Sequence, residues 1–400
     1  MVGVERRRQP SMVRRHRALF LNALRCVLRN PVRSAMVVLC LTALLAPFVT
    51  GIAISEGIKA QHKGALEQGG DVYVARDHYG SNGPIQLDMI EKIRAIPGVT
   101  ELVPRVIGRA YVKGKFLAVL GVAPEHFPDS IHLIRGRRPQ AENEVLLGKD
   151  AAAYAGLDVG SQFSIEKRPD RVFRIVGLFN ASLNPWNANL VLMDFKDAAG
   201  LFGLSGKATD LCVRTRPGYQ GIVDVMVRLS EEEAQKGLPP LRVQTRELIH
   251  RYSQRGFNVK AGVYTGLYCL VFALGIPSIG VISGFGLSER RREIGVMKAL
   301  GWQTQEVLEM VALENLILSI AGVPFVVMVA AVWIHLFNGA WISRFFIASM
   351  GVMIPFPVPS RIFPIPVLLG TILVVVLTMV GSIYSTWRAS VVPPSEAMRA

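Results

Sequence analysis

The sequence predicts an α-helical membrane protein with four transmembrane helices, arranged one plus three, and a large α+β extracytoplasmic domain inserted between helices 1 and 2. Three observations predict it. First, half of the 400 residues are hydrophobic, 19% are charged and the mean hydropathy is +0.34. Soluble domains carry about 25% charged residues, so this composition excludes intrinsic disorder and disfavours an ordinary cytosolic enzyme. Second, four stretches are free of charge: 22 residues between Arg33 and Glu56, 28 between Lys260 and Glu289, 29 between Glu314 and Arg344, and 26 between Arg361 and Arg388. Each exceeds the ~20 residues that cross a bilayer core as a helix. Third, the net charge of +15 is unevenly spread, and basic residues beside membrane helices mark the cytoplasmic side.

Residues 1–34 hold nine Arg against the single Glu5, which places the N-terminus in the cytoplasm. This stretch is far longer than the n-region of a signal peptide and no small-x-small site closes the apolar run, so helix 1, at 35–55, is expected as an uncleaved anchor. The basic segment can itself form an interfacial amphipathic helix, with Leu19, Phe20, Ala23, Leu24 and Val27 beside Arg17, Arg25 and Arg29. Helix 2 is expected at 261–286, a cytoplasmic link at 287–305, helix 3 at 306–337, an external Pro-rich loop at 338–365, helix 4 at 366–387 and a cytoplasmic tail at 388–400. Arg290, Arg291, Arg292 and Lys298 in the link, and Arg388 after helix 4, agree with that orientation. Pro47, Pro277 and Pro324 are tolerable inside the spans because neighbouring helices can satisfy the freed carbonyls. The run Ile354–Pro366 reads as a stiff extended connector. Glu314 reads equally as a carboxylate facing the bundle and pairing with a basic neighbour, or as a residue at headgroup level.

Residues 56–260 contain 28 basic and 23 acidic residues and are long enough for a core of their own, in one lobe or two. Strand patterns fall at Asp71–Ala75, Arg109–Val112, Phe116–Gly121, Glu144–Leu147, Phe163–Ile165, Val172–Val176, Leu190–Met193 and Leu211–Arg214. Helical patterns intervene at Leu87–Ala95, at Asp150–Ala155 closed by Gly156, and at Asp194–Leu201, where Asp194 can cap. Alternating strands and helices give the α+β class.

Catalytic chemistry is not evident. His62, His78, His126, His132 and His250 lack metal-ligand spacing, and Ser161 and Ser164 lack the G-x-S-x-G setting of an exposed nucleophile. Glu231-Glu232-Glu233 reads as a solvated helix end. Of Cys26, Cys40, Cys212 and Cys269 only Cys212 falls in the external domain, so no disulfide can form within it. No catalytic, cofactor or metal site is expected in this chain, and nucleic acid is not an expected partner, because over half of the positive charge is the topogenic cluster before helix 1.

The most informative segment is the link, LSERRREIGVMKALGWQTQEVLE. From Glu289 to Leu300 it can form a short helix with Ile294, Met297 and Leu300 along one side, Glu289 paired to Arg292 at i, i+3, and Gly301 ending it. A polar stub between two membrane helices suits a cytoplasmic partner, or equally anionic lipid.

The run Arg290-Arg291-Arg292-Glu293-Ile294-Gly295-Val296-Met297-Lys298-Ala299-Leu300-Gly301-Trp302, followed by Glu314, closely resembles the loop of the MacB/FtsX-type ABC transporter permeases. Further matches lie in order: Ala23-Leu24-Arg25 to Arg33-Ser34 before helix 1, then Ile96-Pro97-Gly98-Val99, Arg135-Gly136-Arg137-Arg138-Pro139 and Asn143-Glu144-Val145-Leu146-Leu147-Gly148 in the external domain, and Trp387-Arg388-Ala389-Ser390 with Pro393 to Arg399 at the end. The resemblance implies a permease in the bacterial inner membrane with both termini cytoplasmic, paired with a second permease copy or homologous permease and docked on a cytoplasmic ABC ATPase dimer. Glu289, Arg290, Arg291, Arg292, Glu293, Ile294, Met297, Lys298, Leu300 and Gly301 would form the ATPase-coupling loop. ATP and magnesium would belong to the partner ATPase. No G-x-x-x-x-G-K-[ST] is present; Gly203-Leu204-Ser205-Gly206-Lys207-Ala208 lacks both the spacing and the hydroxyl. Membrane lipid, a periplasmic adaptor, an outer-membrane channel or a lipoprotein carrier are further partners of such systems. The implied function is export or extraction of a lipophilic or amphipathic cargo by mechanotransmission. The alternative is an FtsX-like transmembrane signalling subunit acting on an extracytoplasmic cell-wall hydrolase or sensor, against which the size of the external domain weighs.

Overall fold

The computed structural model describes residues 12–67, 69–166, 168–217, 219, 221–283, 294–347, 356–361, 367–373, 375–376, 378–380 and 387. Along the chain the helices are α1 (Met12–Arg29), α2 (Pro31–Glu67), α3 (Met89–Arg94), α4 (Lys149–Ala155), α5 (Asn184–Asn189), α6 (Phe195–Phe202), α7 (Ile222–Gln235), α8 (Arg246–Ser283), α9 (294–299), α10 (Thr304–Phe337) and α11 (Ile342–Ile347). The strands are β1 (Val72–His78), β2 (Ser81–Gly83), β3 (Ile85–Gln86), β4 (Val99–Val112), β5 (Lys115–Gly121), β6 (Ile131–Gly136), β7 (Glu144–Gly148), β8 (Gln162–Ile165), β9 (Arg168–Ala181), β10 (Leu190–Met193), β11 (Lys207–Ala208), β12 (Asp210–Thr215) and β13 (Leu241–Thr245). The described residues fall into two compact units. One is drawn from Met1–Ser55, Lys260–Ser343 and Ser360–Ala400, the other from Glu56–Val259 and Arg344–Pro359.

Three helical stretches among the described residues are long and apolar enough to cross a membrane: Ser34–Glu67, Arg246–Gly275 and Thr304–Phe337. A fourth apolar helix, Val367–Val380, is shorter. Residues Val37, Leu41, Leu45 and Val49 of α2 recur every four positions and bury themselves with Leu318, Val326 and Ala330 of α10, as same-face positions of a helix do. Two of these helices overrun the lengths expected from the charge-free windows. α2 continues to Glu67 rather than stopping near 55, and α8 begins at Arg246 rather than 261. A charge-free window measures what lipid tolerates, whereas a helix needs only its backbone bonds; Glu56–Lys59 at 3.0 Å and Lys63–Glu67 at 3.8 Å are pairs that support it outside the window.

The second unit is built on a sheet with the order β13-β1-β12-β4-β5-β10-β7-β9-β6, with β2 added to β1 and β8 to β9. Strand β4 joins its two halves. Its first residues pair with β12, from Arg105↔Asp210 to Val99↔Thr215, and its last with β5, from Val106↔Gly121 to Val112↔Lys115. Pro104 therefore lies where β4 has β12 on one side only, and its missing N–H disrupts no second ladder. The sequence pattern placed a strand only at Arg109–Val112, because Pro104 breaks the alternation that marks a strand.

Strands β7 and β10 are continuous apolar runs because both faces of this half of the sheet are covered. Val145, Leu147, Val191 and Met193 join one core with Phe163, Phe173 and Ala198, while Leu146, Leu190 and Leu192 join another with Phe127 and Phe179. A third core lies at the other half, where Val72, Val74, Leu211 and Val213 meet Met89 and Ile93 of α3 and Ile222 and Met226 of α7. Asp194 caps α6 by accepting the Lys196 N–H at 2.7 Å, and Gly156 closes α4 in the left-handed conformation. The Pro-rich loop contributes to this unit as well. Phe356 is buried in the first core, and Asn184 donates its side-chain amide to the Pro357 carbonyl at 2.6 Å. This segment is thus part of a core as well as a connector; Ile354, Pro355 and 362–366 lie outside the described residues.

Two sequence motifs of the second unit meet in space. Glu144 accepts two hydrogen bonds from the Arg137 guanidinium, one at 2.6 Å, and the backbone N–H groups of Gln140 and Ala141 at 2.9 and 3.2 Å. The Arg137 bond first, then those N–H groups, hold the carboxyl at about 2 against the solvation that burial removes. Gly136 makes the turn that delivers Arg137. Its φ is +84° and a Cβ there would stand 2.1 Å from the Val176 carbonyl oxygen. Gly136→Ala is expected to cost at least about 1–2 kcal/mol from backbone conformation alone, read as earlier exchange of the β6 and β9 amides; unchanged protection there would refute it.

Glu233 departs from its expected place. It ends a helix, but it is 1% exposed rather than solvated. Its carboxylate accepts from Arg76 and Lys92 at 2.8 Å each and from Lys236 at 3.2 Å. The sequence showed three consecutive Glu and a helix period; only the fold brings Arg76, 157 residues away, to one of them.

Candidate functional site

The link between α8 and α10 is the candidate docking site. Glu289, Arg290, Arg291, Arg292 and Glu293 lie outside the described residues. From Ile294 onward the link is the short helix α9. It ends as Gly301 takes φ +92°, with the Gly301 N–H donating to the Lys298 carbonyl at 2.9 Å and the Trp302 N–H to the Met297 carbonyl at 3.1 Å. That pair of bonds is the Schellman ending, and Met297 and Trp302 on either side of it both pack against Ile294 and Val307. Gln303 then starts α10 with a capping box: its side chain accepts a backbone N–H of the first turn while its own N–H donates to Glu306 at 3.0 Å.

The expected single apolar side of Ile294, Met297 and Leu300 is divided by this geometry. Ile294 is buried against Val307, and Met297 and Trp302 pack on it. Leu300 lies past the last helical turn and is 75% exposed, with Val296 at 46%. The inward residues anchor the link, and Val296, Ala299, Leu300 and Gly301 form its exposed surface. Lys298 is half-buried between these two sets.

Helix α1 supports the same site. Leu19 and Ala23 are buried with Met310 of α10, and Met297, Trp302, Leu313 and Ile317 pack around them. The amphipathic face expected to lie on lipid is thus partly covered by protein, although Phe20 and Leu28 remain exposed. Trp302, Val296 and the Leu19–Ala23 contact were not singled out from sequence. The i, i+4 spacing of Leu19 and Ala23 was visible, but what covers them was not.

Glu314 is 3% exposed on the inner face of α10, which also buries Asn315, Ser319 and Gly322. It therefore faces the bundle. Next along this face, Ser319 shares a 2.7 Å hydrogen bond with Thr378 of Val367–Val380 and donates to the Asn315 carbonyl at 2.7 Å. In hydrocarbon such bonds satisfy groups that water cannot reach. Among the described residues no cluster of His, Cys, Asp or Glu is arranged to hold a metal.

Comparison with known proteins agrees with this architecture. Residues 34–236 match the MacB-like periplasmic core domain and residues 265–394 the FtsX-like permease C-terminal domain. An uncharacterized ABC transporter permease of Methanocaldococcus jannaschii is 25% identical over 162 residues, 39% of this chain and 39% of that protein. The lipoprotein-releasing system transmembrane protein LolC of Xylella fastidiosa is 21% identical over 279 residues, 64% of this chain and 65% of that one. The matched stretch is thus under two thirds of either relative's length. Among solved structures, the periplasmic region of MacB from Actinobacillus actinomycetemcomitans aligns with a TM-score of 0.35 and 14% identity, covering 47% of this chain and 95% of that one. The extracellular domain of the ABC-type transporter YknZ from Gram-positive bacteria aligns at 0.34 and 11%, covering 44% and 99%. With a periplasmic core domain matched over half of its length and an FtsX-like domain after it, the chain belongs to the MacB/FtsX-type ABC transporter permeases.

Proposed function

We propose that this permease couples ATP hydrolysis by a separate cytoplasmic ATPase to motion of its ectodomain, and thereby exports or extracts a lipophilic or amphipathic cargo by mechanotransmission. The observation that carries the reading is the construction of the link. A short helix is anchored through Ile294, Met297 and Trp302 and leaves Val296 and Leu300 exposed, a rigid knob of the kind a partner groove can seat. Helices α2 and α8 supply a second support, since each runs without interruption through residues of both units. ATP and magnesium then belong to the ATPase dimer, and a second permease, the same chain or a homologue, completes the assembly in the bacterial inner membrane. An adaptor, outer-membrane channel or lipoprotein carrier would receive the cargo.

Two measurements test this reading. Purification of the full chain from its native membranes is expected to bring with it an ABC ATPase in a stoichiometric complex whose ATPase rate depends on the permease; absence of any co-purifying ATPase would end the proposal. Reporter fusions after Arg255 and after Arg292 are expected to report outside and inside respectively, and the reverse pattern would overturn the orientation.

A further inference from the structure

The ectodomain unit has a cavity of about 780 Å³, open to solvent on one side, between the end of α2, the sheet at β1, β4, β5 and β12, and the segment around α5. That volume lies within the ~300–1,000 Å³ of small-molecule sites. Val103, Leu120, Phe127, Leu183 and Trp186 give it apolar walls. None of the contacts described for the coupling link involves these residues.

The polar groups of the cavity are unequal in what they have left to offer. Glu101 accepts from Arg214 at 3.0 Å and lies 3.1 Å from His126, so those groups are already engaged with one another. Arg105 and Tyr73 differ. Arg105 donates from Nε and one Nη to the two oxygens of Asp210, at 2.8 and 2.7 Å. Its guanidinium carbon is 4.7 Å from the centre of the Tyr73 ring. A guanidinium has five N–H donors, and among the described residues the second Nη makes no hydrogen bond. The Tyr73 hydroxyl accepts the Gly70 N–H at 2.9 Å, which leaves its own proton available. Of the carboxylates on the lining, Glu101 lies on β4 and is engaged by Arg214 and His126, while Glu125 and Asp129 come from the turn at 124–129.

We infer that this cavity binds an amphiphile with an apolar body and an acidic oxygen head, the body against Leu120, Phe127, Leu183 and Trp186 and the head on the spare donors of Arg105 and Tyr73. An apolar wall needs an apolar occupant, and adjacent donors without an acceptor need a group rich in lone pairs. A long-chain carboxylate meets both conditions. Use of the cavity as a holding place for cargo rests on the export reading above, whereas binding itself does not.

The test uses the full chain in lipid nanodiscs with no ATPase and no nucleotide, so that it can fail or succeed separately from the coupling reading. A diazirine-bearing palmitate is photolysed at increasing concentration and the adducts are mapped by peptide mass spectrometry. Saturable adducts are expected on 118–130 and 183–190, displaced by palmitate and at least ten times less well by hexadecanol. Ala118→Trp, which fills the cavity, is expected to lower this labelling at least tenfold, and Tyr73→Phe to weaken it three- to tenfold. Leu183→Trp is the second filling variant should Ala118→Trp fail to fold. Adducts confined to the membrane helices, or wild-type labelling in a folded filling variant, would overturn the site. Equal displacement by hexadecanol would overturn the acidic head.

Discussion

Glu233→Gln is expected to loosen the half of the ectodomain built on β1, α3 and α7, with a cost of about 3–5 kcal/mol, the range for breaking a buried ion pair from one side. Arg76 is the reason. Its side chain is 6% exposed, and it reaches both the Glu233 carboxylate and, at 2.8 Å, the Pro239 carbonyl. Removal of the carboxylate charge leaves a guanidinium with little water to replace it. Lys92 and Lys236, at 42% and 59% exposure, can turn to solvent and add less. A carboxylate in the last turn of a helix also opposes the helix dipole, so Glu233 persists there because of these cations and not because of α7.

In a domain of about 200 residues, such a loss corresponds to about 6–20 °C in melting temperature. Hydrogen exchange of 72–78 and 222–235 in the full chain gives the local readout. Unchanged protection in Glu233→Gln would show that the cluster is not a support. Arg76→Met combined with Glu233→Gln is expected to recover much of the loss, since removing both partners spares the uncompensated charge.

The same cluster sets a pH dependence. The hydrogen bond from Lys92 first, then that from Arg76, holds the Glu233 carboxyl at about 2, below its ordinary value near 4.5. A depressed folded value means that the stabilisation is complete above the ordinary value and is lost as pH falls from about 4.5 towards about 2. Glu144, held at about 2 chiefly by Arg137, adds to the same window. Protection measured from pH 6 to pH 3 is expected to decline below about 4.5 in the wild type and to be flatter for β1 and α7 in Glu233→Gln.

The second large effect concerns the link. Leu300→Glu is expected to uncouple the permease from its ATPase while leaving membrane insertion intact. Leu300 is 75% exposed, so a charge there costs the isolated chain little. In a partner's groove it would forfeit the ~1.5–3 kcal/mol of a buried Leu and add the cost of desolvating a carboxylate. Two kcal/mol is about a thirtyfold loss of affinity. Permease-dependent ATPase rate and retention of the ATPase on the purified permease are the measurements. Val296→Glu is expected to act in the same direction, whereas Ile294→Ala, at a buried anchor, is expected to lower the stability of the link first. Full retention of coupling in Leu300→Glu would remove this surface from the docking role.

The extent to which the sequence anticipated the structure follows from the range of each interaction. Charge-free runs longer than a bilayer, caps such as Asp194, the left-handed ending at Gly301 and the two-sided apolar strands β7 and β10 are properties of consecutive residues. Each can be read without knowing what lies opposite. The α+β class and the membrane class followed from them, and the family followed from short motifs in a preserved order. Contacts between distant segments could not be read in this way. The burial of Glu233 depends on Arg76, the placement of Phe356 depends on a core more than 150 residues earlier, and the division of the link into anchor and knob depends on α1 and α10. A hydrophobic period states that a face will be covered and a charge states that it must be solvated or paired. Burial and hydrogen bonding are settled by which segments the fold brings together, and this is the part that only the tertiary structure decided.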